Sequence, residues 1–230
     1  KYTKKPHQFS KNLYNKIMYK YFWVVEKPRN NIGKKITIYP KKHSFTESIR
    51  KNALSENKTY SEWSRSHGNN YANRFSNLEQ VNKENVKNLD VAWIYKSNDG
   101  QSGIQANAIV NKGLIYFPTP GAKIVCLNAA TGKLVWQYQG TTPNIAKRGL
   151  TITTISGKDY IYFTDTNKLV SLNASTGKLN KNFGVNGIIK IKRSVVPPVI
   201  IDSYLVVATW YPSVEVFDLE TGKILWKYHL

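Results

Sequence analysis

Residues 123–134 read KIVCLNAATGKL, and similar stretches follow at 168–179, KLVSLNASTGKL, and at 213–224, SVEVFDLETGKI. Their Thr-Gly pairs begin at residues 131, 176 and 221, so one repeat is 45 residues long. Three threonines keep the same interval, each at the end of an aromatic or β-branched run: Thr119, Thr164 and Thr209. A period of this length, divided into short strands, predicts consecutive blades of a β-propeller.

Each residue type of the repeated unit can be explained by the local structure that it favours. Each stretch places Asn or Asp at the end of a strand, where its side chain can accept hydrogen bonds from the turn backbone. The glycine that follows can take the left-handed conformation that closes a hairpin with a bulge. Trp136 and Trp226 lie on the returning strand, where an indole would pack between blades. The middle repeat has Lys181 there, so we expect that junction to pack differently.

Composition excludes several classes of protein. The chain has 230 residues, 41% of them hydrophobic, which is enough for a packed core. Its formal net charge is +20, but lysine far outnumbers arginine and no arginine cluster is present, which argues against nucleic-acid binding. The one cysteine, Cys126, excludes an intrachain disulfide and lies in an apolar run that predicts burial.

Three zones follow one another along the chain. Residues 1–58 form a basic extension, which either wraps the main domain or lies on anionic lipid as a surface helix. Residues 59–99 lead into the propeller and supply its first strand, predicted at 91–95 after a short helix within 80–89. Residues 100–230 hold about three blades. We therefore predict an all-β fold, an incomplete propeller arc behind an irregular N-terminal extension.

The repeat resembles a known family at this point. Its Ala-x-Thr-Gly-Lys-x-x-Trp pattern is similar to the tryptophan-docking motif of the pyrroloquinoline quinone (PQQ) dependent dehydrogenases, which are eight-bladed propellers. Residues 73–86, NRFSNLEQVNKENV, and the Arg148-Gly149 pair also look like segments of that family. The sequence FGVNG at 183–187 is similar to its glucose and alcohol dehydrogenase branch. The resemblance covers about residues 60–230.

The resemblance implies a PQQ site on the propeller axis. Arg148 resembles the family arginine near the quinone oxygens, Gln105 falls where the family has Glu or Gln, and Thr164 falls where it often has a hydroxyl. These three are the candidate cofactor-binding residues. The resemblance also implies a calcium ion, whose ligands would lie beyond residue 230 together with the catalytic aspartate, so no catalytic or metal residue is expected in this chain.

Four departures from the family pattern stand out. The chain has no pair of adjacent cysteines, and no histidine precedes the Arg-Gly segment. The family's hydroxyl-rich Ser-Pro-Pro segment appears here as Val195-Val196-Pro197-Pro198. The loop before Val214 is short and reads WYPS at 210–213. These changes point to altered cofactor binding or to its loss.

The expected function is oxidation of an alcohol or aldose, with electrons passed to a cytochrome or a membrane quinone. We expect a periplasmic location, free or associated with the inner membrane through the basic N-terminus, and no nucleic-acid partner. Three repeats make up only about a third of an eight-bladed ring, so the 230-residue chain alone is expected to be inactive. The alternative is a non-enzymatic propeller scaffold for protein assembly.

Overall fold

The computed structural model describes residues 63–68, 72, 74–76, 78–100 and 103–229, all within the unit Ala53–Leu230. Its regular structure is almost entirely β. The strands of the first sheet are β1 (Ile109–Asn111), β2 (Leu114–Pro118), β3 (Lys123–Asn128) and β4 (Leu134–Gln139). Those of the second are β5 (Thr151–Ile155), β6 (Lys158–Asp165), β7 (Lys168–Asn173) and β8 (Ile188–Lys190). Those of the third are β9 (Val199–Ile201), β10 (Tyr204–Thr209), β11 (Ser213–Asp218) and β12 (Ile224–His229).

Each sheet is an antiparallel meander in which every strand pairs with the next one along the chain. Three consecutive four-stranded sheets, one per 45-residue repeat, confirm the predicted propeller blades. The 1–58 extension and residues 59–62 lie outside the described residues, so the predicted zone boundaries stay predictions.

The turn between the third and fourth strands shows the predicted side-chain cap. The Asn128 side-chain oxygen accepts hydrogen bonds from the Thr131 backbone N–H at 2.9 Å and the Thr131 hydroxyl at 3.0 Å. Asn173 and Asp218 do the same in the other two sheets. Gly132 has a φ of 68°, a left-handed conformation that a side chain rarely adopts. The pairing register of β3 and β4 shifts between Cys126 and Leu127, as a bulge requires.

The core lies between the sheets, in two clusters. Ile124, Cys126 and Trp136 of the first sheet pack against Ile161 and Leu172 of the second. A second cluster joins the second and third sheets. Cys126 is fully buried, as predicted, and this burial raises the pKa of its thiol to about 11. At neutral pH the thiol is therefore protonated and behaves as a small apolar side chain.

Trp136 docks on the second sheet as the repeat predicts. Its indole N–H donates to the Ala174 carbonyl at 2.9 Å, and a Cβ on Gly177 would lie 2.5 Å from the indole ring. Trp93 makes the equivalent contacts one repeat earlier: its indole donates to the Ala129 carbonyl at 2.9 Å. Both tryptophans thus cover a turn glycine and satisfy a turn carbonyl.

The junction between the second and third sheets differs, as Lys181 predicts. Lys181 is exposed, and Phe183 and Ile189 lie on Gly222 instead. The Tyr162 hydroxyl donates to the Leu219 carbonyl at 3.0 Å, the position one repeat after Ala174. Burial raises the pKa of Tyr162 far above its usual value, so the hydroxyl keeps its proton and remains a donor.

Two predictions for the segment before the first sheet were wrong. The helix expected within 80–89 is only a three-residue 3-10 helix, Val86–Asn88, without buried residues. The Asn82 side chain does accept the N–H groups of Glu84 and Asn85, but it caps a turn. Residues 91–95 form no strand, because they have no ladder partner among the described residues and are fixed by the Trp93 dock.

The first strands of the three sheets adjoin one another, since β1 contacts β5 and β5 contacts β9. Residues 63–65 run along this edge: Trp63 exchanges two backbone hydrogen bonds with Val110, and Ser64 accepts the N–H of Ile152. We call the end of the sheets at which β1, β5 and β9 begin the upper end. In the part of the chain that the structure describes, we find no candidate for a membrane-spanning helix.

Candidate functional site

The three predicted cofactor residues all lie at the upper end. Gln105 precedes β1, Arg148 precedes β5, and Thr164 stands one residue before the end of β6, which runs upward toward its turn. Because the first strands adjoin one another, the segments that lead into them share one surface. The predicted residues therefore belong to one region of the fold, although they differ in what they can contact.

Arg148 is exposed and anchored through its backbone. Its carbonyl accepts the Ser66 hydroxyl at 3.0 Å, which ties the segment 63–68 to the start of the second sheet. A side chain at Gly149 would collide with that hydroxyl, and Gly149 has a φ of 131°. The glycine of the Arg-Gly pair is thus required by close packing. None of the three ion pairs among the described residues involves Arg148, so its guanidinium can receive an external anion.

Gln105 is exposed on the segment that enters the first sheet. The Lys147 ammonium donates to the Gly103 carbonyl at 3.3 Å and links that segment to the one that carries Arg148. A shallow concavity lies between them, lined by Gly103, Ile104, Pro118, Thr119, Pro120, Pro143, Ile145 and Lys147. Gln105 and Arg148 thus lie on two neighbouring segments, which the hydrogen bond from Lys147 to Gly103 holds together.

Thr164 is fully buried, and its hydroxyl donates to the Val196 carbonyl at 3.3 Å. Its equivalents use their hydroxyls differently: Thr119 donates to the Asp99 carboxylate at 2.6 Å and Thr209 to the Tyr211 carbonyl at 2.5 Å. In this structure Thr164 positions the segment before β9 and presents no group to the surface. Direct contact with a cofactor stays a prediction for Thr164.

Sequence reasoning did not single out Arg193, which also lies at the upper end. It is exposed, and its guanidinium carbon lies 4.9 Å from the centre of the Trp210 ring. Arg193 follows Arg148 by one 45-residue repeat, and a lysine precedes each arginine. The period that located the blades could therefore have located this residue as well.

Metal ligation was not expected in this chain. In the described part of the chain, His, Cys, Asp and Glu side chains form no group of three that could hold a metal ion. Exposed side chains at the upper end include the Arg148 and Arg193 guanidiniums, the Gln105 amide and the Trp210 ring, and groups of these kinds can bind a planar anion.

Two named dehydrogenases are similar to this chain in sequence. The alcohol dehydrogenase (quinone) dehydrogenase subunit of Gluconobacter oxydans is 34% identical over 187 residues, which are 71% of this chain and 24% of that protein. The quinohemoprotein alcohol dehydrogenase ADH IIB of Pseudomonas putida is 30% identical over 71% of this chain and 26% of its own length. The chain thus spans about a quarter of the length of these relatives.

Solved structures share the fold. A quinohemoprotein alcohol dehydrogenase from Pseudomonas putida matches with a TM-score of 0.57 and 25% identity, over 74% of this chain and 27% of that one. The enzyme of the same description from Comamonas testosteroni matches with a TM-score of 0.59 and 21% identity, over 79% of this chain and 28% of that one.

Residues 63–230 match the PQQ family described as glucose/ethanol/alcohol dehydrogenase, beta-propeller domain. The matched range begins at Trp63, the residue that pairs with the first strand of the first sheet. It includes all three sheets and the whole upper end. The resemblance drawn from the docking repeat is therefore confirmed, and this chain belongs to the glucose/ethanol/alcohol dehydrogenase β-propeller family.

Proposed function

We propose that the chain is part of a PQQ-dependent dehydrogenase that oxidises an alcohol or an aldose sugar. The observation that carries the proposal is an exposed arginine without an acidic partner among the described residues, at the upper end of a propeller sheet of this family. Family membership also favours the dehydrogenase over the scaffold alternative, since a scaffold has no need of that arginine.

The residues of the upper end fit the cofactor. PQQ is a planar tricarboxylate quinone, and when bound it accepts the hydride equivalent, and with it the two electrons, removed from the substrate. The Arg148 guanidinium would pair with an oxygen-bearing edge of the quinone, and the Gln105 amide would donate to a carboxylate. Thr164 would hold the segment before β9 through Val196. A calcium ion completes the proposal, with ligands outside the described residues.

The partners follow from the reaction class. Oxidation of an alcohol releases two electrons, so an acceptor must take them, and we propose a cytochrome or a membrane quinone. A periplasmic location, free or associated with the inner membrane, belongs to the same proposal. The basic N-terminus would supply peripheral contact with anionic lipid through its lysines.

The proposal is tested by assaying the full-length protein with PQQ, Ca²⁺ and an artificial electron acceptor against a panel of primary alcohols and aldoses. We expect turnover that needs both PQQ and Ca²⁺ and that disappears after chelation. The 230-residue chain alone is expected to be inactive. Full-length protein that folds but oxidises neither class of substrate would contradict the proposed function.

A further inference from the structure

A Lys-Arg pair occurs twice at the upper end, one repeat apart. Lys147-Arg148 leads into β5 and Lys192-Arg193 leads into β9, the first strands of neighbouring sheets. The two segments adjoin each other: the Thr151 hydroxyl donates to the Pro198 carbonyl at 2.6 Å. The repeat thus brings two arginines to one surface, each preceded by a lysine.

Arg193 differs from Arg148 because it is fixed against an aromatic ring. Its guanidinium carbon lies 4.9 Å from the centre of the Trp210 ring, within the range of a cation–π interaction. Its backbone carbonyl accepts a hydrogen bond from the backbone N–H of Trp210 at 2.7 Å. The guanidinium is therefore held in one orientation, and none of the three ion pairs among the described residues uses it.

Trp210 has no packing role like that of the docked tryptophans. It is 61% exposed, whereas Trp136 is 9% exposed. The equivalent turn positions of the first and second sheets are Pro120 and Asp165, so the fold does not require an aromatic ring there. An exposed indole under a fixed arginine presents a flat apolar surface beside a bidentate cation.

We propose that Arg193 and Trp210 form a second anchoring point for the planar cofactor, on the same surface as Arg148. A guanidinium receives a carboxylate through two parallel hydrogen bonds, and a ring beside it supports a fused aromatic ligand by stacking. The pair stands in the third sheet, where the hydroxyl-rich segment is replaced by Val195-Val196. This inference rests on the proposed function.

The test is equilibrium dialysis of the full-length protein with PQQ in the presence of Ca²⁺. Arg193→Gln is expected to weaken binding about tenfold, because it removes a charge-assisted hydrogen-bonded pair. Arg193→Lys is expected to weaken it less, since the charge remains and the fork is lost. Trp210→Leu should also weaken binding. Lys181→Gln, which removes an exposed lysine from the loop between β7 and β8, outside the upper end, is the control and should bind as the wild type does.

The outcomes separate this inference from the proposed function. Wild-type protein that does not bind PQQ overturns both. Wild-type binding that Arg193→Gln and Trp210→Leu leave unchanged overturns the anchoring point alone. Equal weakening by Lys181→Gln would mean that net positive charge attracts the cofactor, which also contradicts a specific anchor. Thermal melting of each variant shows that it is folded, and Arg193→Lys keeps the test informative should Trp210→Leu be unstable.

Discussion

The two junctions between sheets solve one packing problem with different residues. Between the first and second sheets, Trp136 covers Gly177 and donates to the Ala174 carbonyl. Between the second and third, the covering group and the donor come from separate residues. Phe183 and Ile189 cover Gly222. Tyr162, a residue of β6, donates to the Leu219 carbonyl.

The comparison shows what a junction of this repeat requires. It needs an apolar surface against the turn glycine and a donor for the carbonyl that follows the capping Asn or Asp. A tryptophan meets both needs with one side chain, but it is not required. Where Lys181 replaces it, a longer loop brings Phe183 over the turn, and a tyrosine of the preceding strand pair supplies the hydrogen bond. Trp226, in the third sheet, is 53% exposed.

The largest expected effect separates the two junctions directly. Trp136→Ala should lower the free energy of unfolding by about 3–5 kcal/mol, because it empties a buried site and leaves the Ala174 carbonyl without its donor. Lys181→Ala, at the equivalent position of the next repeat, should change it by less than about 0.5 kcal/mol. Urea denaturation of the full-length protein measures both. Similar losses for the two variants would contradict the assignment of separate junctions.

The second effect concerns the turn glycines. Gly177→Ala meets the Trp136 ring and a left-handed φ of 69°, so it should cost more than Gly157→Ala. Gly157 has a φ of 77° but open space around its Cβ position, and its substitution should cost only the backbone strain, about 1–2 kcal/mol. Gly222→Ala should lie between them, because the nearest atom there is the flexible end of Ile189. Melting temperatures rank the three. Equal costs would show that conformation alone selects glycine.

A third effect isolates the hydrogen bond of the second junction. Tyr162→Phe keeps the ring and removes the donor to the Leu219 carbonyl, which should cost about 1–3 kcal/mol if that carbonyl stays buried. The loss should be constant across the neutral range, since a tyrosine hydroxyl does not ionise there even at its ordinary pKa near 10, and burial raises the pKa of Tyr162 further. Denaturation at pH 6 and pH 8 tests this. A loss that appears only at the higher pH would refute the proposed role as a neutral donor.

The smallest effect compares the turn caps. The hydroxyl and backbone N–H of Thr221 donate to the Asp218 carboxylate and lower its pKa, so ionised Asp218 stabilises the fold above its ordinary pKa near 4. That contribution is lost as the pH falls through the lowered folded-state pKa. Asp218→Asn, which copies Asn128 and Asn173, should therefore flatten the acid end of the stability profile. An unchanged slope of stability against pH at the acid end would show that Asp218 does not contribute to this pH dependence.

The sequence predicted much of this architecture because the repeat carries its own chemistry. The regular spacing of Asn, Gly and Trp predicted the hairpins, the blades and the junction between the first and second sheets. Lys181 predicted the different packing at the junction between the second and third sheets. The failures fall where the partner is not local. Residues 91–95 have the composition of a strand, but a strand also needs a neighbour, and the amino-acid sequence does not show which segments will meet.

The site was predicted less completely, for a similar reason. Arg148, Gln105 and Thr164 were located by resemblance, and the fold brings all three to the upper end. They differ in burial: Arg148 and Gln105 are exposed, whereas Thr164 is buried and its hydroxyl donates to the Val196 carbonyl. The stacking of Arg193 on Trp210 depends on how a turn and a neighbouring segment approach each other. The 45-residue period indicates the arginine, but only the structure shows the ring beneath it.

The central claim is that the upper end of these sheets holds PQQ through Arg148. The most direct measurement is a spectrophotometric titration of the full-length protein with PQQ and Ca²⁺, comparing wild type, Arg148→Gln and the control Lys133→Gln. We predict saturable binding by the wild type and the control, and binding at least about tenfold weaker by Arg148→Gln. Equal binding by all three proteins, or no binding by the wild type, would contradict the claim.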